Sequence, residues 1–453
     1  MLPFVNLSAD QGNDYFSEGM TEELIHALAR IPQVRVASRT SVFNVSKRDL
    51  DIRRIGETLG VTSVLEGTVR RAGNRLRISA QLVDTRTGYH LWSEMYDREL
   101  ADVFAIQDEI SRAIITGLSV SLGGRDTSLV KPPTASVESY HSYLRGRYFW
   151  NRPSQEALLK AVEHFERAIE SDPDYAAAHS GLADTYHILA IYGVLRPVET
   201  YPRIKAAALR AVELDPRSAE GYVSLGCSAM CCDWDWEGAL GHFERAIELD
   251  PTYAYAHYQY AWCLTAMGRR VEAVESARRA AEAEPLSLHI QAYVAEILAL
   301  CGHIDAAVEQ ARNTLELDAN FVPAIEALGH AYTYSKRYDE AVSTLRRVPA
   351  SPRVSQALRL APLYARVGEV ELARRTLEEE ARLAGGLVPA GNAGFYLAAG
   401  ALGVGDVERC LSWLERLVEE RRFLGCLLKV DPNWEEIRSH PRFVELLRRL
   451  RLE

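Results

Sequence analysis

The chain has 453 residues, 47% of them hydrophobic and 25% charged, an ordinary balance for globular protein and enough for two or three domains or one long solenoid. Its formal net charge of −10 and pI of about 5.7 argue against a general nucleic-acid surface, which needs a basic patch or stripe. No run reaches the ~18–20 consecutive apolar residues of a membrane helix, no secretory leader is legible, and seven scattered cysteines fit reduced thiols in a cytoplasmic setting.

Leu2–Val5 is a short apolar run, read as the first strand, and the turn-rich N-L-S-A-D-Q-G-N-D follows it. Thr21 is predicted to cap a helix, with Glu22 and Glu23 as first-turn acids. That helix runs through Leu24, Ile25, Leu28 and Ala29 and is closed by Pro32. Val34–Val42 reads as a strand, and Ile52–Leu59 as a helix ended by Gly60. Apolar and polar residues then alternate over Leu65–Val69. Ala72-Gly73-Asn74 is a hairpin turn, and Leu76, Ile78, Ala80 and Leu82 alternate on the return strand. A second turn at Thr85–Gly88 leads into a third strand, Tyr89–Tyr96. Val103–Leu118 has apolar residues at 103, 106, 110, 114 and 118, the spacing of an amphipathic helix. Residues 1–120 therefore read as a small α/β domain with a mixed sheet and about three helices. Residues 121–138, rich in Gly, Ser, Thr and Pro, read as a linker.

From Ala161 the chain reads A-V-E-H-F-E-R-A-I-E-S-D-P to Pro173, and from Ala239 A-L-G-H-F-E-R-A-I-E-L-D-P to Pro251. Weaker copies end at Pro216, at Pro285 and near Ala319 and Pro352. Pro216, Pro251, Pro285 and Ala319 stand 35, 34 and 34 residues apart. A 34-residue period with alanine, a large apolar residue, alanine and proline at fixed offsets is the tetratricopeptide signature, two antiparallel helices per unit. In the unit ending at Pro285, Tyr260, Ala261 and Leu264 fill the first helix's core slots. Ala273, Ala277 and Ala280 fill the second's, and Gly268 makes the turn. No such unit can bury its apolar face alone, so the units must stack. The 43 residues from Pro173 to Pro216 hold an insertion, I-Y-G-V-L-R-P-V-E-T-Y-P. Two looser pairs follow the repeats, Ser355–Leu383 turning at Gly368 and Ala393–Glu420 turning at Gly403 and Gly405. A tail from Asp431 ends in the helix Pro441–Leu452, expected to cap a solenoid that spans residues 139–453. The fold class is thus α+β: a small α/β domain followed by an all-α superhelix.

The opening L-P-F-V-N-L-S-A-D, S-E-G-M-T-E-E-L-I-H-A-L-A-R-I-P, the hairpin sequence V-L-E-G-T-V-R-R-A-G-N-R-L-R-I-S-A-Q-L-V-D-T-R-T-G-Y-H-L-W-S-E and the helix D-V-F-A-I-Q-D-E-I together resemble a TolB-like amino-terminal domain family. The repeat half resembles that family's usual companion, including C-D-W-D-W-E-G-A and the closing V-D-P-N-W-E-E-I-R-S-H-P-R-F. The resemblance covers nearly the whole chain. It implies a place in bacterial signalling, downstream of a winged-helix DNA-binding domain, a class III adenylate cyclase domain or a protein kinase domain, often across a membrane helix. The chain reads as a stand-alone version or as the C-terminal part of a larger protein, and the latter would allow an extracytoplasmic location.

No constellation for catalysis is legible. G-x-x-x-x-G-K, G-x-S-x-G and G-x-G-x-x-G after a strand are missing from the sequence. Cys227, Cys231 and Cys232 form C-x-x-x-C-C without the second pair that structural zinc requires, so they are expected to pack, and neither metal nor cofactor is expected. His187, His257, His289 and His330 fall in successive repeats without a convergent partner and are expected at the surface or in the groove.

Helical spacing places the groove-facing positions of successive first helices on one stripe. They are Asp184 and His187; Val223, Cys227 and Met230; Tyr255, Tyr258 and Trp262; His289, Ala292 and Glu296; and Glu326, His330 and Thr333. The stripe is aromatic and mixed polar, and it lacks the Lys, Asn and Arg set of a carboxylate clamp. Tyr255, Tyr258 and Trp262 serve either as anchors for a partner or as packing between repeats. The expected function is a non-catalytic protein- or peptide-binding, regulatory or sensory module. The alternatives are the regulatory half of an adenylate cyclase or kinase, and the sensory half of a transcription regulator.

Overall fold

The alternating pattern between residues 63 and 99 makes three long strands, added to one short one. They are β1 (Val5–Asn6), β2 (Ser63–Ala72), β3 (Arg75–Asp84) and β4 (His90–Glu99), in the spatial order β1-β2-β3-β4. β1 runs parallel to β2 and the other pairs are antiparallel, so the sheet is mixed. Ala72 pairs with Arg75 across a two-residue turn in which Gly73 has φ +57°, a conformation glycine adopts without strain. Leu76, Ile78, Ala80 and Leu82 all point into the core, as their alternation requires. The computed structural model describes residues 1–8, 11–29, 31, 34–48, 50–118, 134–152, 154–350, 354–383 and 393–453. These divide into two compact units, residues 1–181 and 182–453.

Four helices accompany the sheet: α1 (Asp14–Ala29), α2 (Arg39–Ser46), α3 (Ile52–Leu59) and α4 (Val103–Gly117). α3 starts on an Asp51 cap and ends on Gly60 at φ +64°, and α4 buries Val103, Ile106, Ile110 and Ile114, as the sequence indicates. Two expectations fail. Thr21 is no cap, because α1 begins seven residues earlier, at Asp14. Its hydroxyl instead donates to the Ser17 carbonyl and accepts from the Phe4 amide, each at 2.9 Å, tying the helix to the edge of the sheet. Glu22 is accordingly no exposed first-turn acid. It is 3% exposed and held by the guanidinium groups of Arg147 and Arg39. Residues 39–42 of the expected strand Val34–Val42 open α2, because the Ser38 hydroxyl accepts from the Ser41 amide and caps a helix whose Val42 and Val45 face inward. Pro32 lies outside the described residues.

The helical part starts with α5 (Val137–Trp150), α6 (Gln155–Ser171), α7 (Ala176–Ile191), α8 (Pro197–Leu214) and α9 (Ala219–Ser228). α10 (Trp236–Leu249), α11 (Ala254–Met267), α12 (Arg270–Ala283), α13 (Leu288–Leu300), α14 (Ile304–Leu317), α15 (Val322–Tyr334) and α16 (Tyr338–Leu345) continue the repeats. Then come α17 (Gln356–Arg366), α18 (Val370–Leu383), α19 (Ala393–Gly403), α20 (Val407–Glu419) and α21 (Pro441–Arg449). Most of the linker reading, residues 121–133, lies outside the described residues.

Small residues set the helix spacing. Ala239, Ala246, Ala273 and Ala280 are fully buried. Gly226 receives the Phe243 ring so closely that a Cβ there would stand 2.5 Å from it. Gly268 ends α11 at φ +83°. The insertion after Pro173 lengthens a helix more than a loop: α8 has 18 residues, whereas α10, α12 and α14 have 14.

The first of the two motifs that set this repeat half apart meets the C-terminal segment on either side of the second. After α9 the backbone widens into a π turn, Ala229–Asp233, and Trp234 takes φ +52°. The Trp236 indole then donates to the Leu450 carbonyl at 2.8 Å. Arg421 stacks 3.7 Å over the Trp234 ring and donates to the Cys232 carbonyl. The C-D-W-D-W-E sequence is therefore a docking point for this chain's own tail. That tail runs through two 3-10 turns, Phe423–Leu427 and Pro432–Ile437, into α21, which is held on α20 by Arg442 with Glu415 and Glu408.

Candidate partner-binding face

The first helices of successive pairs lie side by side, α9 against α11, α11 against α13 and α13 against α15. Their predicted stripe divides into three parts. Asp184, His187, Val223, Cys227 and Met230 are all buried. Ser224 donates to the Asp184 carboxylate at 2.5 Å, and His187 packs near Tyr201 with its ring 6.5 Å away. Burial pushes the His187 imidazole down to about 4, so it is neutral at physiological pH. His257 is also buried, contrary to the surface position expected for it. Its Nε2 lies 3.0 Å from the Pro251 carbonyl, tying the start of α11 to the preceding turn.

The second part is aromatic. Tyr255 and Tyr258 lie 5.5 Å apart, Tyr258 and Tyr293 5.4 Å, and Tyr258 meets Trp262 edge-on at 6.3 Å. Tyr255, Tyr258 and Tyr293 are half-buried, while Trp262 is 3% exposed. Burial holds the three phenols well above their ordinary range, so they stay neutral hydroxyls at any physiological pH. Tyr293, which the stripe omits, stands on α13 between His289 and Glu296 and completes the cluster from the next repeat. His289 is exposed and edges the Phe321 ring at 5.0 Å, with burial of its surroundings pushing its imidazole down.

The third part is ionic. The His330 Nδ1 lies 2.9 Å from a Glu296 carboxylate oxygen, and Arg359 pairs with Glu326 at 3.2 Å. Burial alone would lower the His330 pKa. The charge and hydrogen bond of Glu296, with Glu326 and Asp431 behind it, outweigh burial and raise it to about 9. Asp431 comes from the tail and reaches the Tyr334 hydroxyl at 3.5 Å. Burial raises its carboxyl to about 6, against the opposing pull of the Asn433 amide and His330. Glu326 is likewise raised by burial, with Arg359 pulling the other way. Glu296 and Glu326 are therefore each matched by a cation.

The tail is what sequence spacing could not place. Phe423 sits edge-on against Trp262 at 5.4 Å, Arg366 pairs with Glu436 at 3.0 Å, and the fully buried Trp434 packs on Phe395 at 5.2 Å. The thiols of Cys227 and Cys263 are raised by burial, which leaves them poor ligands and poor nucleophiles. Among the described residues, no group of three His, Cys, Asp or Glu side chains is placed to hold a metal ion. No described helix is long and apolar enough to cross a membrane.

The helical part is a tetratricopeptide-like array, carried after a small four-stranded mixed sheet. Residues 235–297 and 324–351 match family models of the tetratricopeptide repeat. The Rhizobium meliloti (strain 1021) protein "Putative adenylate cyclase 3" is 35% identical over 240 residues, 52% of this chain and 40% of that protein. "Transcriptional regulator HilA" of Salmonella typhimurium is 24% identical over 240 residues, 52% of this chain and 42% of its own length. The chain thus spans about two fifths of the curated relatives it matches. Among solved structures, TTC0263, a thermophilic tetratricopeptide protein of Thermus thermophilus, is 21% identical at a TM-score of 0.36, covering 45% of this chain and 99% of its own. YrrB, described as a tetratricopeptide protein with an unusual peptide-binding site, is 20% identical at a TM-score of 0.30, covering 48% and 99%.

Proposed function

We propose that the chain is a non-catalytic interaction module that holds a protein or peptide segment on its first-helix face, at Tyr255, Tyr258, His289, Glu296, Glu326 and His330. The observation that carries this reading is the half-open tyrosine cluster beside carboxylates already matched by His330 and Arg359. Aromatic rings with neutral hydroxyls at a surface are good anchors, because they bring large contact area with little side-chain entropy to lose. With the neighbouring acids neutralised, an apolar or aromatic segment suits the face better than a basic one. The tail already occupies the adjoining part through Phe423 on Trp262, which supports the view that such a segment is what this surface accepts.

The domain division 1–120, 121–138 and 139–453, the TolB-like assignment of the first part, a cytoplasmic setting and a role in bacterial signal transduction belong to the same proposal. The Rhizobium relative's name favours the regulatory half of an adenylate cyclase as the particular setting, and the Salmonella relatives' name favours the sensory half of a transcription regulator less strongly, at 24% identity. A peptide-library pull-down with wild type and Tyr258→Ala, run beside thermal melts, tests the face. Selective loss of capture with an unchanged melt supports it. Equal capture by both proteins, or a melt that collapses on mutation, returns these rings to packing between repeats.

A further inference from the structure

A second candidate site belongs to residues 1–181 and shares no residue with the first-helix face of the later repeats. A cavity of about 670 Å³ is bounded by β2, α1, the first turns of α5 and the last turns of α6. Three arginines line it: Arg71, Arg145 and Arg167. Six other arginines of the same unit are matched by carboxylates, Arg39 and Arg147 by Glu22, Arg75 and Arg77 by Asp97, Arg112 by Asp108 and Arg152 by Glu18, whereas Arg35, Arg48, Arg53, Arg54, Arg70, Arg86 and Arg98, like the cavity's three, form no ion pair among the described residues. None of the cavity's three forms an ion pair among the described residues. Glu138 and Glu170 also border the cavity, so its guanidinium groups outnumber its carboxylates three to two.

The wall between them is organised. Arg71 Nη1 donates to the Tyr15 hydroxyl at 3.0 Å, and that hydroxyl lies 3.2 Å from His141 Nδ1. Arg145 stacks 4.7 Å over the Tyr15 ring. Arg71 leaves the Tyr15 proton available, and in the tautomer where Tyr15 donates to Nδ1 the neutral imidazole carries its hydrogen on Nε2. Burial, reinforced by the charges of Arg71 and Arg145, keeps that imidazole neutral, down to about 4. Nε2 is buried and has no hydrogen-bond acceptor among the described residues. The cavity thus offers three guanidinium groups against two carboxylates, with none of the three held in an ion pair among the described residues, a set that fits an anion with several oxygens.

We propose that this cavity binds a small phosphorylated ligand, its phosphate held by Arg71, Arg145 and Arg167. Planar guanidinium forks match phosphate oxygens two at a time, and a phosphate presents more acceptor oxygens to three such groups than a single carboxylate does. The volume is that of a metabolite site and exceeds the space a lone phosphate fills.

Arg145 and Arg167 are exposed, so Arg167→Gln leaves the packing in place and Arg145→Gln gives up only the stacking on the Tyr15 ring, whereas Arg71 holds the Tyr15 hydroxyl and is left intact. The full chain is titrated calorimetrically with inorganic phosphate, adenosine 5′-monophosphate and a phosphoserine peptide, at constant ionic strength set with chloride. Saturable phosphate and nucleotide binding, weakened about tenfold or more by either substitution with unchanged melting, is the expected result. Phosphate behaving no differently from chloride, or variants binding as wild type does, would overturn the site. A phosphoserine peptide binding more tightly than both small ligands would overturn the ligand class in favour of a phosphoprotein.

Discussion

Phe423 lies edge-on against Trp262, their ring centroids 5.4 Å apart at an interplanar angle of 80°. The two residues are far apart in sequence, and their contact turns one end of the predicted aromatic stripe from surface into interior. It also separates the three stripe aromatics energetically. Trp262 holds the fold, whereas Tyr255 and Tyr258 keep part of their rings in solvent.

Removing the Phe423 ring should uncover Trp262 and loosen the tail. Phe423 is half-buried, so Phe423→Ala should cost about 2 kcal/mol, below the full core value. Limited proteolysis should then cut within residues 421–440 sooner than in wild type. An unchanged cleavage pattern would show that the tail is held by Trp236, Arg421 and Arg442 without this contact.

The His330 cluster predicts a pH dependence with a definite sign. The folded-state pKa of His330 is raised from 6.5 to about 9. The folded protein therefore binds this proton more tightly than the unfolded chain. The resulting stability is fully present below about pH 6.5 and is lost as pH rises through about 9. The groups facing His330 are Glu296, Glu326, Asp431 and Tyr334. Between pH 6.5 and pH 9, the urea midpoint should fall further in wild type than in His330→Gln. Equal falls would remove His330 from the account.

Glu22 works in the opposite direction. Burial would raise its carboxyl, but Arg147, Arg39 and His26 bring it down to about 2. Its contribution is present above the ordinary value of 4.5 and disappears as pH falls through about 2. Glu22→Gln should destabilise residues 1–181 by about 3 kcal/mol, because it leaves two guanidinium groups without their shared partner. Far-ultraviolet circular dichroism of acid titrations checks this, and a variant with the wild-type acid midpoint would contradict it.

Ala273 sits where α12 meets α11 and is fully buried. Ala273→Leu adds three carbons to a closed contact and should cost about 1–3 kcal/mol through overpacking. A denaturation midpoint equal to that of wild type would mean that the helices part without strain at this position.

Elements with a local cause are legible in the residues alone. A 34-residue period marks which alanines must lie between helices, because only small side chains let two backbones approach, and Ala239, Ala246, Ala273 and Ala280 are all fully buried. Alternation with a Gly73-Asn74 turn specifies the hairpin, because a two-residue turn leaves one register open to β2 and β3. The start of α1 and the helix at Arg39 are less plainly written. The first depends on residues 11–14 folding onto the helix, the second on a serine cap that outweighs the β-branched residues after it. Which stripe residues meet solvent is a matter of tertiary packing. Helical spacing gives a direction around one helix and says nothing about what chain returns to cover it. Phe423 on Trp262, Asp431 beside His330, and Tyr15 between Arg71 and His141 all join segments whose separation no local pattern records.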